Sequence, residues 1–276
     1  MLEALRRQLS ESLFERVAGP EREKHARRIH ETPGPRMFAD DRPIRHVHAD
    51  HAMFIGGLRA LLLQSLHPLA MAAVAQHSDY RTDPWGRLQR TSLFIGVTTY
   101  GTAEDARQAV DRLGRVHQHI HGTAPDGRQY RADDPHLLAW VHVAEVDSFL
   151  RCHQKYGEKP LDDYDEYVAD MAVIGEALGV VDPPRTTAEL DARLNSYRAE
   201  LKSTHDAREA ARFLLFKAPL PVLARGPYAI LAATAVASLP LWARIPLRLP
   251  YLPIAEATGV RFAGHALMRG LRWVTG

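Results

Sequence analysis

Histidine titrates near neutrality and is the commonest metal ligand, and this chain of 276 residues carries 15 of them. Most fall in three groups. His46, His48 and His51 share the segment RHVHADHAMF, and His67 and His77 stand at the two ends of HPLAMAAVAQH. His117, His119 and His121 occupy RVHQHIHGT, with His142 downstream in WVHVAEVDSF. Helical spacing sorts the third group: His117 and His121, four residues apart, share a face, and His119 points away. Leu113, Val116 and Ile120 make an apolar stripe beside His117, which puts its imidazole at the edge of a buried face. A neutral ring there can meet a metal, a cofactor iron or a backbone carbonyl, and spacing leaves these open.

A second constellation is cationic. Arg87, Arg90 and Thr91 lie at i, i+3 and i+4 of one helical face and run into the apolar sequence SLFIGV. Two guanidiniums beside a hydroxyl are expensive to bury unless they meet an anion. A carboxylate, a phosphate or reduced oxygen would satisfy them, and so would salt bridges to Asp79 or Asp83. The chain has no G-x-S-x-G, H-E-x-x-H, P-loop or dinucleotide fingerprint, and no Glu-x-x-His pair of the di-iron type. Cys152, the one cysteine, excludes a disulfide framework and a thiolate zinc site.

The elements that must position these residues are helical. His67-Pro68 ends one helix and opens the next, and Pro84 opens another, with Leu88, Thr91, Phe94 and Ile95 on one side. Thr102 with Asp105 resembles a capping box ahead of a helix over Ala103–Ile120. Gly122–Asp134 is the one clear non-helical stretch. Its Pro125-Asp126-Gly127 turn allows a short β-hairpin near 122–132. Asp134-Pro135 reads as N-cap and N1 of a helix reaching Tyr156, followed by helices over Asp162–Leu178, Leu190–Leu201 and Phe262–Val274. Leu2, Leu5, Leu9 and Leu13 predict an amphipathic helix at the start. Gly56-Gly57 permits close packing of helices or the approach of a flat ligand. With no repeat or flexible linker visible, the expectation is a single all-α domain over 1–276.

Composition narrows the function classes. Basic and acidic residues nearly cancel at 35 against 33, which leaves no field for nucleic-acid binding. The first residues carry charges throughout and do not read as a signal peptide, so a cytoplasmic protein is expected. The uncharged stretch Gly226–Ala243, flanked by Arg225 and Arg244, is at the lower limit for a membrane span. A buried core helix is the favoured reading over membrane contact. Composition is silent on oligomeric state.

The stretch from Gln64 to Leu150 resembles the oxygenase family of the latex clearing protein (a rubber oxygenase) and the MpaB-type enzymes. QSLHPLAMAAVAQHSDYRTDPWGRLQRT and FIGVTTYGTAEDARQAVDRLGRVHQHIHGTAPDGRQYRADDPHLLAWVHVAEVDSFL carry the likeness, with LPLWARIPL in the tail. The family-like core spans about 45–250. The resemblance implies a globin-like α-helical core and, as in the rubber oxygenase, haem b with an axial histidine. It also implies an apolar small-molecule substrate and dioxygen. The family's arginine–x–x–lysine–threonine motif falls on Arg87, Arg90 and Thr91, with arginine in the lysine position. Arginine stays protonated and makes a poor iron ligand, so Arg90 is left an electrostatic role, on dioxygen or on a haem propionate. The family's histidine five residues before glycine falls on His117 and Gly122, with His121 the alternative ligand. His142 and His67 are expected around the cofactor, and Asp147 or Glu145 as the acceptor that orients the ligand histidine. Cleavage of rubber itself, an extracellular polymer, does not suit a chain without an export signal. Three other readings stand beside the oxygenase: a non-enzymatic haem or ligand carrier, a non-haem metal pair at His117 and His121, and a family member that has lost its cofactor and serves as a structural or interaction protein.

Overall fold

A computed structural model of the chain describes residues 2–275. In chain order its α-helices are α1 (Leu2–Ala18), α2 (Arg22–Glu31), α3 (Pro43–Ala49), α4 (Ala52–Gln64) and α5 (Pro68–His77). Next come α6 (Pro84–Tyr100), α7 (Ala103–Gln118), α8 (Pro135–Tyr156), α9 (Asp165–Ala177) and α10 (Thr187–Ser196). The tail adds α11 (His205–Arg212), α12 (Val222–Ser238), α13 (Leu241–Leu247), the single turn α14 (Pro253–Ala255) and α15 (Arg261–Thr275). A 3₁₀ turn follows α10, and π-helical turns lie at Phe213–Lys217 and Glu256–Val260. The one sheet among the described residues is the expected hairpin, β1 (His121–Thr123) against β2 (Gln129–Arg131), antiparallel with Gly122 opposite Tyr130. Gly127, at φ +87°, makes the turn. The side chains of Leu2, Leu5, Leu9 and Leu13, and the ends of the expected 1–276 domain at Met1 and Gly276, lie outside the described residues.

Local chemistry sets the helix starts. Prolines occupy the first turn of α5, α6 and α8, where no amide donor is needed. The preceding His67, Asp83 and Asp134 accept backbone N–H groups of Ala70, Gly86 and His136. Thr102 accepts from Asp105 N at 3.0 Å and donates its hydroxyl to the Asp105 carboxylate at 3.0 Å.

The centre of the molecule is the seam between α4 and α8, the most extensively packed pair of helices. Gly56 makes it possible: a Cβ there would sit 2.8 Å from Phe149 Cδ1 and 3.2 Å from its Cα. Of the two uses open to Gly56-Gly57, close packing is the one Gly56 serves. Across the seam Arg59 meets Asp147 at 2.7 Å, both 3% exposed, and also donates to Ser148 Oγ and to Ser238 O on α12. Trp140, Tyr167, Leu62, Leu63 and Leu150 fill the core on either side. Fully burying such side chains stabilises by about 1.5–3 kcal/mol each.

Gly226–Ala243 is a core segment on one side. Ala232, Thr234, Ala235, Val236, Leu239 and Ala243 are buried within it. Arg244 is buried too, held by Leu239 O, Ala237 O and the Glu256 carboxylate. Among the described residues no single helix is long and apolar enough to cross a membrane. Apolar side chains reach solvent beyond that segment, at Ile245, Leu252, Ile254 and Phe262.

Candidate functional site

The α6–α7 pair is a helical hairpin closed by Gly101-Thr102, and so short a connection makes its arms antiparallel. Its closed end is tied down: Arg28 reaches Asp105 at 2.6 Å, Tyr100 donates to Arg45 O, and Arg36 bridges to Thr102. Arg87 and His117 each lie about four helical turns from that connection, so both belong to the hairpin's free end. α6 packs on α1, α2 and α3, and neither arm packs closely on α8. Every residue from Ser92 to Val97 is half-buried, although the run is apolar, and on α8 Leu138, Val141 and Glu145 form a half-buried stripe. We take these two half-buried faces, with Arg87 and His117 at the hairpin's free end, as the candidate site.

His117 is half-buried and ends α7. Burial holds its imidazole below the ordinary histidine range, against the pull of Asp133, so it is neutral at pH 7. Among the described residues its ring makes no hydrogen bond, which leaves a lone pair free for a ligand. His121 does not share its face. The helix expected to reach Ile120 stops at Gln118, and His121 lies exposed on β1, where helical spacing no longer applies. His119, the C-cap, turns back to Arg115 O at 2.7 Å. Val116 is 51% exposed and does not join the expected stripe, because α6 is the helix that packs most extensively on α7 and it leaves Val116 uncovered.

The cationic face divides. Arg87 is half-buried, and burial lowers the affinity of its guanidinium for a proton. Among the described residues it has no carboxylate partner, and its Cζ lies 5.9 Å from the Tyr80 ring centroid. Tyr80 is itself buried with an unpartnered hydroxyl. Arg90 is exposed and reaches Asp83 at 3.3 Å, so the plain salt bridge holds for this residue alone. Thr91 is exposed, and its hydroxyl donates to Arg87 O at 3.1 Å. Sequence reasoning missed Tyr80; a tyrosine seven residues before an arginine, across a proline, has no periodic signature.

On α8, His142 is 8% exposed, its Nε2 is buried without a partner and its ring lies against Gly175 of α9. Desolvation lowers its pKa to about 4. The consequence for stability has a definite sign. The unfolded chain takes up a proton below about 6.5 that the folded ring refuses until about 4, so stability falls as pH drops through that window. His142→Asn should flatten the acid limb by on the order of 3 kcal/mol. Urea unfolding at pH 7 and pH 4.5 measures it, and an unchanged pH dependence would show that His142 titrates normally.

Glu145 has no hydrogen-bond partner among the described residues, and burial raises its carboxyl pKa to about 7. Its charge is felt by Tyr167, whose hydroxyl lies 3.3 Å from His48 Nε2, while His48 Nδ1 lies 2.8 Å from Thr99 Oγ1 on α6. His48, desolvated, is neutral with a pKa of about 3. Tyr167, His48 and Thr99 therefore form a hydrogen-bonded chain from α9 to α6 through α3, which Glu145 of α8 reaches by charge alone. Asp147, the other expected acceptor, points elsewhere: it is held by Arg59 and by Arg151 at 3.2 Å. His67 is apart as well, with His136, Trp140 and Tyr197 as its ring neighbours. Cys152 is buried, its thiol pushed up to about 12 by desolvation, and is inert as a thiolate. A separate open groove of about 800 Å³ beside α1, α2 and α15 is lined by Arg6, Arg7, Arg22 and Glu23 and contains none of the expected residues.

Compared with known families, residues 45–273 match the family described as ER-bound oxygenase mpaB/B'/Rubber oxygenase, catalytic domain. The match runs beyond the expected core of 45–250 into α15. No curated protein and no solved structure matches the chain.

Proposed function

Because the chain belongs to the ER-bound oxygenase mpaB/B'/rubber oxygenase catalytic-domain family, we propose that it is a haem b-dependent oxygenase acting on an apolar small molecule, with His117 as the iron ligand. The observation that carries the reading is the His117 imidazole, neutral, desolvated and free of hydrogen bonds. The remaining donors fit the group: Arg87 lacks an acidic partner, and a porphyrin brings carboxylates. When bound, haem supplies the redox chemistry that puts dioxygen into a hydrocarbon; the protein's share is binding, orientation and protons.

In this reading His117 binds through its free ring nitrogen. Arg87, beside the Tyr80 ring and its unpartnered hydroxyl, would hold a carboxylate of the group. Arg90 acts only through its charge, which is felt at Arg87, and Thr91 fixes the Arg87 turn by bonding its carbonyl. Glu145, whose pKa burial raises to about 7, can hold or release a proton at its carboxyl oxygen. His142 is the buried donor or acceptor that orients what enters beside α8. Half-buried Phe94, Ile95, Leu138 and Val141 offer an apolar molecule a dry wall.

The test is reconstitution of the purified chain with haemin, read by absorption in the oxidised and reduced states. A Soret band with dioxygen uptake on apolar substrates and a reductant is expected. A chain without a Soret band sinks the proposal, and a Soret band without uptake makes the chain a haem carrier.

A further inference from the structure

We propose that His67, His136 and Glu200 form a second ligand site, one that takes a divalent transition-metal ion of the Zn²⁺ class. The site shares no residue with the His117 region, so it stands or falls independently of the haem reading.

Three donors converge from three parts of the chain. His67 is the N-cap of α5 and is 1% exposed, and its Nε2 is buried without a hydrogen-bond partner. The nearest Glu200 oxygen is 3.5 Å from it, beyond good geometry. His136, in the first turn of α8, places Nε2 2.9 and 3.0 Å from the two Glu200 oxygens. One ligand atom from each residue falls within 4.8 Å of the others. A tetrahedral zinc with bonds of about 2.0–2.1 Å holds its ligands roughly 3.4 Å apart. The separations of His67 and His136 from Glu200, 3.5 and 2.9 Å, bracket that value.

The ligands are braced by packing. Tyr197 stacks on His136 at 4.7 Å between ring centroids and donates its hydroxyl to His136 O at 2.8 Å. Trp140 and Tyr197 flank His67 at 6.2 and 6.4 Å. Lys202 N donates to Leu66 O at 2.8 Å, which pins the Glu200 segment beside the α4–α5 corner. Two imidazoles and one carboxylate are a donor set for zinc that leaves the fourth position to water. Glu200 at 41% and His136 at 53% exposure give that position access to solvent.

Two features oppose binding and set its strength. The charge of Arg128 is felt at both His67 and Glu200 and disfavours a cation. His67 Nδ1 accepts from Ala70 N at 3.5 Å, and coordination at Nε2 would move the ring proton to Nδ1 and end that cap. A bond so long contributes little, so its loss is small. Without an ion, both histidines can donate from Nε2 to Glu200, and that hydrogen-bonded triad is the competing state.

Calorimetric titration of the chelator-treated, haem-free full chain with Zn²⁺ tests the site, with Co²⁺ absorption as a readout of coordination. One Zn²⁺ per chain is expected, with the intense visible bands of tetrahedral Co²⁺. His136→Ala and Glu200→Gln, both at solvent-accessible ligands, should each weaken binding by at least about tenfold while circular dichroism stays unchanged. Absence of stoichiometric Zn²⁺ binding overturns the proposal. So does binding that both variants leave intact, which would assign the ion to other histidines.

Discussion

Replacing His117 with alanine should abolish the Soret band expected of haemin-reconstituted protein and leave the fold and its melting temperature nearly unchanged. The expected contrast is large because the two roles of the side chain are so unequal. As a structural residue His117 is dispensable: half-buried at a helix end and without a hydrogen bond among the described residues. As a ligand it is the proposed bond between protein and iron. His121→Ala, at an exposed strand position, should keep the band. Arg87→Met should weaken haem retention, since the guanidinium has no carboxylate of its own to lose. An unchanged Soret band in His117→Ala, or its loss in His121→Ala alone, would move the ligand assignment.

Arg59→Ala should be among the most destabilising single substitutions in the chain, by about 3–5 kcal/mol. Arg59 and Asp147 are each 3% exposed and meet at 2.7 Å in the α4–α8 seam. Removing the arginine strands a buried carboxylate and also takes a donor from Ser148 Oγ and Ser238 O. Arg151, 3.2 Å from the other side of Asp147, softens the loss. The melting temperature should fall by on the order of 10 °C. Arg59→Met with Asp147→Leu, which removes both charges and keeps the volume, should recover most of it. Urea unfolding of the wild type, the single variants and the double variant separates the pair from its surroundings. A fall below about 1 kcal/mol for Arg59→Ala, the scale of an exposed ion pair, would mean that water reaches the seam.

Much of the helical plan was legible because it rests on local chemistry. The prolines at 68, 84 and 135 and the caps at Thr102 and Asp134 mark helix starts where they occur. Helix ends were less legible. α7 stops two residues short of Ile120 because Ile120 N turns back to His117 O and Ile120 O accepts from Ala132 N. That long-range bond to the hairpin has no local signature, and it takes His121 off the helix. The partition of Arg87 from Arg90 was likewise hidden: both choices fit the spacing, and Asp83 decides between them by lying within reach of one. The Tyr167–His48–Thr99 chain and the His67–His136–Glu200 triad unite residues far apart in sequence, and only tertiary packing brings them together.

The attachment of the α6–α7 hairpin has a thermodynamic consequence. Its closed end is held by Arg28, Tyr100 and His48, while its arms pack on each other and on α1–α3 rather than on the seam. The chain should therefore open in two tiers. The hairpin forms a cooperative unit of low opening free energy, and α4 with α8 forms the last protected unit, whose opening is global unfolding. Anything bound between the two tiers would draw its affinity partly from closing the first, and it would shield the α6 and α7 amides from exchange well before it altered the melting of the core.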